Sequence, residues 1–556
     1  MLRIRSLRRT LHDPESMITR YLNNMTSSRL VVLAALALVA IYNLSFFSHV
    51  VEVYPLTSKN TGFVASLAPF LGSLIILLLI PLSSRHTIKP VLIVLFLVSS
   101  LAAYFMDSYN VIIDDGMIDN IAGTDVNESA DLFSVKLLAY FLLLGVLPAY
   151  LIIKTKINHA SLGKEFQSRI LTTLAAIVVL VLVVMPFSQF YASFFREHKS
   201  LRYYANPVFY IYSTGKYLKK TAMAGQVEFK PIGRDAHKQV TDKDRELIIL
   251  VVGETARADR FSLNGYSRKT NPLLEKEDVI SFSNVYACGT STAESLPCMF
   301  SVLSKADYSI VRAAERENLL DVLTHAGVNV LWRDNNSSSK GVADRVPYES
   351  YKHSDINTIC NPECRDEGML VGLQEYIDKN KSGDILIVLH QMGNHGPAYY
   401  KRYPQEFEKF KPVCATNQLE DCSVEEINNA YDNAILYTDY FLKKVIDLLK
   451  DNTAGFETAM FYVSDHGESL GENGLYLHGM PYLFAPEAQT HVPSILWVGD
   501  SYDEIDKIAV KERRHERFTH DNLFHTMLGL MEVQTAVYDK NMDIIRYQPD
   551  TTIARK

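Results

Sequence analysis

The hydrophobic pattern divides the chain near residue 200. Upstream, five apolar runs follow one another with few charges inside them: Leu30–Phe47, Thr61–Leu82, Ile88–Met106, Leu132–Ile153 and Ile170–Tyr191. Each approaches the ~20 residues that a membrane-spanning helix needs. Buried core helices are the competing reading, but five such runs in succession exceed what a water-soluble core uses. No small-residue cleavage site follows the first run and four more come after it, so it is not a cleavable signal. Downstream, short β-branched runs alternate with helical periodicity. Strands are predicted at Leu247–Val252, Val328–Trp332, Ile385–His390, Ala459–Val463 and Val492–Val498. Helices are predicted at Leu319–Ala326, Gly368–Asp378, Glu425–Leu449 and Asn522–Leu530. That alternation predicts an α/β sandwich with a mostly parallel sheet. The expected organisation is multi-domain: a transmembrane domain with five helices over residues 1–191, a connector over 192–245 and an α/β domain over 246–556. In the connector, Tyr203, Tyr204, Phe209, Tyr210, Tyr212 and Tyr217 are interleaved with Lys and Arg. Such a stretch fits a bilayer surface or an ordinary surface linker.

Charge orients the apolar runs. Arg3, Arg5, Arg8, Arg9, Arg20 and Arg29 precede the first, Arg85 and Lys89 follow the second, and Lys154, Lys156, Lys164 and Arg169 follow the fourth. The loop after the third has no Lys or Arg but carries Asp107, Asp114, Asp115, Asp119, Asp125, Glu128 and Asp131. The positive-inside rule then puts the N-terminus in the cytoplasm and residues 192–556 outside. The six cysteines agree, since all lie in the outer part, at 288, 298, 360, 364, 414 and 422. Their three close pairs point to disulfides Cys288–Cys298, Cys360–Cys364 and Cys414–Cys422, although spacing alone leaves other pairings open. A zinc site built on cysteine is the competing reading, but no C-x₂-C pairs recur and no histidine is interleaved. The net charge of −7 over 556 residues argues against nucleic acid as a main partner.

Candidate chemistry gathers just past the carboxyl ends of the predicted strands, where open α/β sheets bind ligands. Glu254 follows the first strand. Asn335, Asn336, Ser337 and Lys340 follow the second, His390 and His395 the third, and Asp465, His466 and Glu468 the fourth, with His478 twelve residues beyond His466. Glu, Asp and His supply the ligands that zinc takes. Between Cys288 and Cys298 lies a Gly/Thr/Ser turn leading into a helix-like stretch, and a helix start offers free N–H groups to an anion. The inferred ligand set is Glu254, Asp465 and His466 with the Thr292 hydroxyl, which zinc would activate as a nucleophile. On spacing alone Thr290, Ser291 and Ser295 remain rivals to Thr292. His390 and Trp332 read as packing residues, His491 as a strand cap or a border of the site, and Glu468 and Glu472 as outer or surface groups.

The segments Val251–Arg260, Cys288–Ser301, Trp332–Gly341 and Ser464–Gly479 resemble those of the lipid A phosphoethanolamine transferases. These are bacterial inner-membrane enzymes, of alkaline phosphatase-like fold, whose mobile members confer polymyxin resistance. The resemblance covers nearly the whole chain. It implies Thr292 as the nucleophile, Glu254, Thr292, Asp465 and His466 as ligands of Zn2+, and contacts of His395 and His478 with substrate phosphate or a second zinc. It implies a head-group pocket at Asn336, Ser337 and Lys340, and lipid binding by Asn120, Thr124 and Glu128, whose i, i+4, i+8 spacing shares a helix face. The implied reaction moves phosphoethanolamine from phosphatidylethanolamine to lipid A through a covalent threonine intermediate, in a monomer whose catalytic domain is periplasmic. Transfer to core sugars, phosphoglycerol transfer, a sulfatase-like hydrolase and a membrane receptor are the alternatives. The C/S-x-P-x-R pattern of sulfatases is absent at the nucleophile.

Overall fold

The computed structural model describes residues 25–123, 132–158, 160–196, 198–224, 229–238, 244–361 and 363–545. The chain forms two compact units, residues 1–114 with 133–214 and residues 115–132 with 215–556. In the first unit, helices α1 (Ser27–Ile41) and α2 (Leu44–Val53) meet at a bend of 56°. Helices α3 (Thr61–Leu79), α4 (Ile88–Tyr109), α6 (Val135–Lys154) and α7 (Leu162–Val184) are each long and apolar enough to cross a membrane, and α1 with α2 makes a fifth span if the bent pair is one crossing. The apolar run over Leu30–Phe47 is thus not one straight helix. Asn43 explains the break. Its side-chain amide donates to the Leu38 carbonyl at 2.9 Å and to the Asn206 carbonyl at 2.7 Å, while Asn206 N–H returns a bond to Asn43 Oδ1 at 2.9 Å. A buried side chain that competes for helical carbonyls ends the ladder there. Within α6 the backbone widens to a π-helical stretch, Phe141–Val146.

The second unit is built on eight strands: β1 (Glu246–Gly253), β2 (Val279–Tyr286), β3 (Asn329–Asp334), β4 (Tyr348–Ser350), β5 (Ile385–His390), β6 (Glu457–Ser464), β7 (His491–Val498) and β8 (Phe518–Thr519). Their order is β8-β2-β7-β6-β1-β5-β3-β4. Every neighbour pair is parallel except those that β7 makes with β2 and β6. The central strand β1, ELIILVVG, is buried at all its positions, as a strand covered on both faces must be. On one face Ile248, Leu250 and Val252 join Phe282, Trp332 and Phe461 in a core shared with helices α9 (Leu319–His325) and α11 (Leu523–Leu530). The other alternation of the pleat faces the opposite side. Helix α10 (Val424–Lys450) packs against β6 and starts at a capping box between Ser423 and Glu426, which satisfies two backbone donors reciprocally. The cysteines pair as Cys288–Cys298, Cys360–Cys364 and Cys414–Cys422.

Phe461 lies on β6 with 1% of its surface exposed. Replacing Phe461 by Ala is expected to cost about 3–5 kcal/mol, read as a lower unfolding midpoint and earlier proteolysis of the second unit in neutral detergent.

Candidate active site

Four adjacent parallel strands, β6, β1, β5 and β3, end along one line, and each delivers polar groups there. Past β1 the chain turns sharply: Thr255 is held at φ 53°, a conformation that a β-branched residue adopts at a cost of about 1–2 kcal/mol. Its carbonyl accepts the Tyr431 hydroxyl at 2.6 Å. The turn leaves the Glu254 carboxylate fully buried beside β6. From the β5 side, Gly393, at φ 52°, presses against Glu254, so that an added Cβ would lie 2.8 Å from its carbonyl oxygen. Asn394 N–H donates to the same carbonyl at 3.0 Å. From β3, Asn336 donates to Glu254 Oε2 at 2.7 Å and to the Gln391 carbonyl at 2.8 Å.

Past β6, Asp465 Oδ1 accepts His466 N–H at 2.7 Å and Thr255 N–H at 3.3 Å. Its Oδ2 is buried without a hydrogen-bond partner among the described residues. His466 Nδ1 bonds to the Gly467 carbonyl at 2.9 Å, which fixes a ring proton there and turns Nε2 toward the carboxylates. Nε2 lies 3.3 Å from Glu254 Oε1, 3.4 Å from Asp465 Oδ2 and 3.4 Å from Thr292 Oγ1. Thr292 Oγ1 is also 3.3 Å from Glu254 Oε1. A tetrahedral site with metal–ligand bonds of ~2.0–2.1 Å has edges of about 3.3 Å. Four of the six edges among Glu254 Oε1, Asp465 Oδ2, His466 Nε2 and Thr292 Oγ1 therefore match the spacing that a small cation requires.

Thr292 opens helix α8 (Thr292–Met299). Of the four hydroxyls between the cysteines, Thr292 reaches the Glu254 carboxylate. Thr290 donates to the Met480 carbonyl at 2.6 Å, Ser295 to the Asp465 carbonyl at 2.5 Å, and Ser291 takes the N-cap position.

Electrostatics agree with the geometry. Burial works against the Glu254 carboxylate, but the hydrogen bond and charge of His466 outweigh it and hold its pKa well below the ordinary range. Burial and then Glu254 push Asp465 up to about 6. Burial disfavours a charged His466, yet Asp465 and Glu254 raise it to about 10. Two buried carboxylates thus demand a positive charge between them, and a bound cation would replace that proton.

Three further groups were not singled out by sequence reasoning as functional. Glu468 is fully buried; its Oε2 lies 2.7 Å from His478 Nδ1, and its Oε1 accepts the Tyr399 hydroxyl at 2.7 Å. Glu472 pairs with Arg257 at 2.6 Å. His390 bonds through Nδ1 to Asp334 Oδ2 at 3.0 Å, which Trp332 Nε1 also reaches at 2.8 Å. The ring of His478 lies 4.4 Å from that of His466 and 5.4 Å from that of His395. His520, absent from the sequence reading, ties the two halves of the site. Its Nδ1 accepts Cys288 N–H at 3.1 Å and its Nε2 lies 3.0 Å from the Ser464 carbonyl. No motif marks it; only the fold brings it to the turn.

Ser337 follows Asn336, its N–H donating to Asn336 Oδ1 at 2.5 Å. Lys340 lines a cavity of about 130 Å³ with Pro297 of α8, Arg316 and Arg345. Asn120 belongs to helix α5 (Asp115–Gly123), which packs against α8; Met117 of the same helix lies over Gly479, beside His478. Thr124 and Glu128 lie outside the described residues.

Comparison with known proteins places this architecture. The family profile "Sulfatase" matches residues 246–533, and "Phosphoethanolamine transferase EptA/EptB" matches residues 71–222. Phosphatidylethanolamine transferase Mcr-2 of Escherichia coli is 46% identical over 91% of this chain and 95% of its own length. The chain belongs to the phosphoethanolamine transferase family. Phosphoethanolamine transferase EptA of Escherichia coli K12 is 40% identical over 93% of the chain and 96% of its own length. The structure of the integral membrane protein lipooligosaccharide phosphoethanolamine transferase A from Neisseria meningitidis superposes with a TM-score of 0.90 at 34% identity, covering 95% of this chain and all of that one. The fold of a phosphoethanolamine transferase, a membrane helical domain joined to a sulfatase-like α/β domain, is therefore the fold of this chain.

Burial holds His520 down to about 3, against an ordinary value near 6.5. A depressed base contributes stability that is complete above about 6.5 and is lost as pH falls toward 3. Unfolding midpoints measured between pH 7 and pH 4 should fall less steeply for His520→Gln than for the unmodified protein.

Proposed function

We propose that the protein transfers phosphoethanolamine from phosphatidylethanolamine to a phosphate of lipid A, with Thr292 as the nucleophile. The observation that carries this reading is the position of Thr292 Oγ1, 3.4 Å from His466 Nε2 and 3.3 Å from Glu254 Oε1 at the start of α8. The related proteins' names supply the group transferred, and the neisserial name supplies a lipooligosaccharide acceptor.

Glu254, Thr292, Asp465 and His466 would hold a zinc ion, for which their nitrogen and oxygen donors and near-tetrahedral edges are suited. When bound, zinc would acidify the Thr292 hydroxyl and offset negative charge on the phosphoryl group. Asn336 fixes the Glu254 carboxylate, and the Gly467 carbonyl fixes the His466 tautomer. The Thr292 hydroxyl releases its proton to solvent as Oγ bonds to phosphorus, the P–O bond to glycerol breaks and diacylglycerol departs, leaving a phosphodiester on Thr292. His478, held at Nδ1 by Glu468, delivers a proton through Nε2 to that departing oxygen. His395, which burial pulls down to about 3, is neutral and contributes a hydrogen bond to phosphate rather than a charge. A lipid A phosphate oxygen then attacks the diester, the P–O bond to Thr292 breaks, and Thr292 Oγ takes a proton back from solvent. Lys340, Ser337 and Asn336 form the head-group side of the site, and the helix of Asn120 the lipid side. Both lipids reside in a membrane, which suits a catalytic unit tethered by apolar helices. The three disulfides fit a periplasmic location, with the N-terminus on the cytoplasmic side.

Lipid A from cells making the Thr292→Ala variant should carry roughly 10³-fold less phosphoethanolamine, measured by mass spectrometry, while the variant accumulates normally in the membrane. Unchanged modification would move the nucleophile to Thr290, Ser291 or Ser295, and phosphoethanolamine found on core sugars would move the acceptor. Separately, Glu254→Gln should purify with markedly less zinc than the unmodified protein, as read by elemental analysis.

A further inference from the structure

The opposite end of the sheet carries a second cluster of buried acids. Glu246 opens β1 and Glu457 opens β6, and the two stand in register on neighbouring parallel strands, so their side chains leave the sheet on the same face. Glu532 follows α11, next to Val533, which pairs with Lys238. Glu246, Glu457 and Glu532 are 0%, 5% and 1% exposed, and one ligand oxygen from each lies within 4.8 Å of the others. Lys238 pairs with Glu246 and, at 3.0 Å, with Asp384, so the ammonium that meets the cluster at Glu246 is shared with a carboxylate outside it. Glu246 Oε1 and Glu457 Oε2 are buried and have no hydrogen-bond partner among the described residues. An ionised oxygen in that position is costly unless a cation or a proton meets it.

We propose that Glu246, Glu457 and Glu532 bind a divalent cation of Ca2+ chemistry at the amino-terminal end of the sheet. The donors are all carboxylate oxygens, with no nitrogen or sulfur, which is the set of a hard cation and not of zinc. Ca2+ takes oxygens at ~2.3–2.6 Å, so oxygens on opposite sides of it stand up to about 5 Å apart, and three oxygens within 4.8 Å of one another fit inside that shell. Mg2+ demands a tighter, near-octahedral shell. The bound ion would tie the first residues of β1 and β6 to the turn after α11. These are the strands whose other ends deliver Glu254, Asp465 and His466, about 25 Å away along the sheet. The ion would stiffen the two strands that hold the catalytic carboxylates without touching substrate.

The test uses the full-length protein in neutral detergent, stripped of metal and reloaded with zinc alone. Equilibrium dialysis with radioactive Ca2+ should find one ion per chain at micromolar to millimolar concentrations, and Ca2+ should raise the unfolding midpoint. Glu457→Gln and Glu532→Gln should each weaken Ca2+ uptake roughly tenfold or more and lose the rise in midpoint, with zinc content unchanged. No uptake by the unmodified protein at millimolar Ca2+ overturns the proposal. Uptake that survives unaltered in both variants also overturns it. Variants that melt higher than the unmodified protein, with Ca2+ inert toward all three, would show that protons occupy the cluster instead.

Discussion

The catalytic unit depends on one electrostatic constraint: Glu254 and Asp465 are buried side by side with a single imidazole between them. Neither carboxylate can be ionised there without a positive charge close by. The fold meets this by converging on the pair from every direction, with Asn336 from β3, the Gly393 loop from β5, Thr255 from β1 itself and His466 from β6. Parallel strands make such convergence possible because their carboxyl ends all open on one edge. β7, which runs the other way, contributes no side chain to the buried pair. Its side of the sheet instead abuts β2, which leads to the turn bearing Thr292.

The hydroxyl and the acid–base groups are coupled mechanically as well as electrically. The turn before α8 is fastened at its start by Cys288 N–H to His520, in its middle by Thr290 to Met480 and at its end by Ser295 to the Asp465 carbonyl. The disulfide closes the segment behind these bonds. Thr292 therefore occupies its place through backbone anchoring on both sides, and its own bonds to Glu254 and His466 are long and weak. A hydroxyl positioned by its backbone keeps its oxygen free for chemistry.

Much of this was readable in the sequence, for a physical reason. Strands buried on both faces spell continuous apolar runs, so β1, β5, β6 and β7 declared themselves, and the polar residues after them followed. β5 spans the residues that its apolar run marks, β3 starts a residue later and ends two later than its run, and others reach a residue or two further, as with Glu457–Ser464 against the apolar stretch Ala459–Val463. Strand β2 was not legible, since its half-buried pattern mixes Ser and Asn with Val and Phe, and β4 and β8 are too short to carry a period. The bend at Asn43 was hidden because its partner, Asn206, is distant in sequence. His520 was hidden for the same reason. Glu468 was seen but read as peripheral, because nothing in the local string shows that Tyr399 and His478 close over it. The choice of Thr292 among four hydroxyls rests on family likeness; in the structure its Oγ1 is the one of the four that bonds to Glu254.

The clasp between the Thr292 turn and the His478 loop has a consequence for transplantation. Gly479 N–H donates to the Thr290 carbonyl at 2.8 Å while the Thr290 hydroxyl donates to the Met480 carbonyl. These two bonds join segments almost two hundred residues apart into one rigid piece bearing both Thr292 and His478. Chimeras that exchange either segment alone between related enzymes would misalign hydroxyl and imidazole even if every side chain were preserved. The unit of modular exchange here is the clasped pair, and splice points belong outside both of its arms.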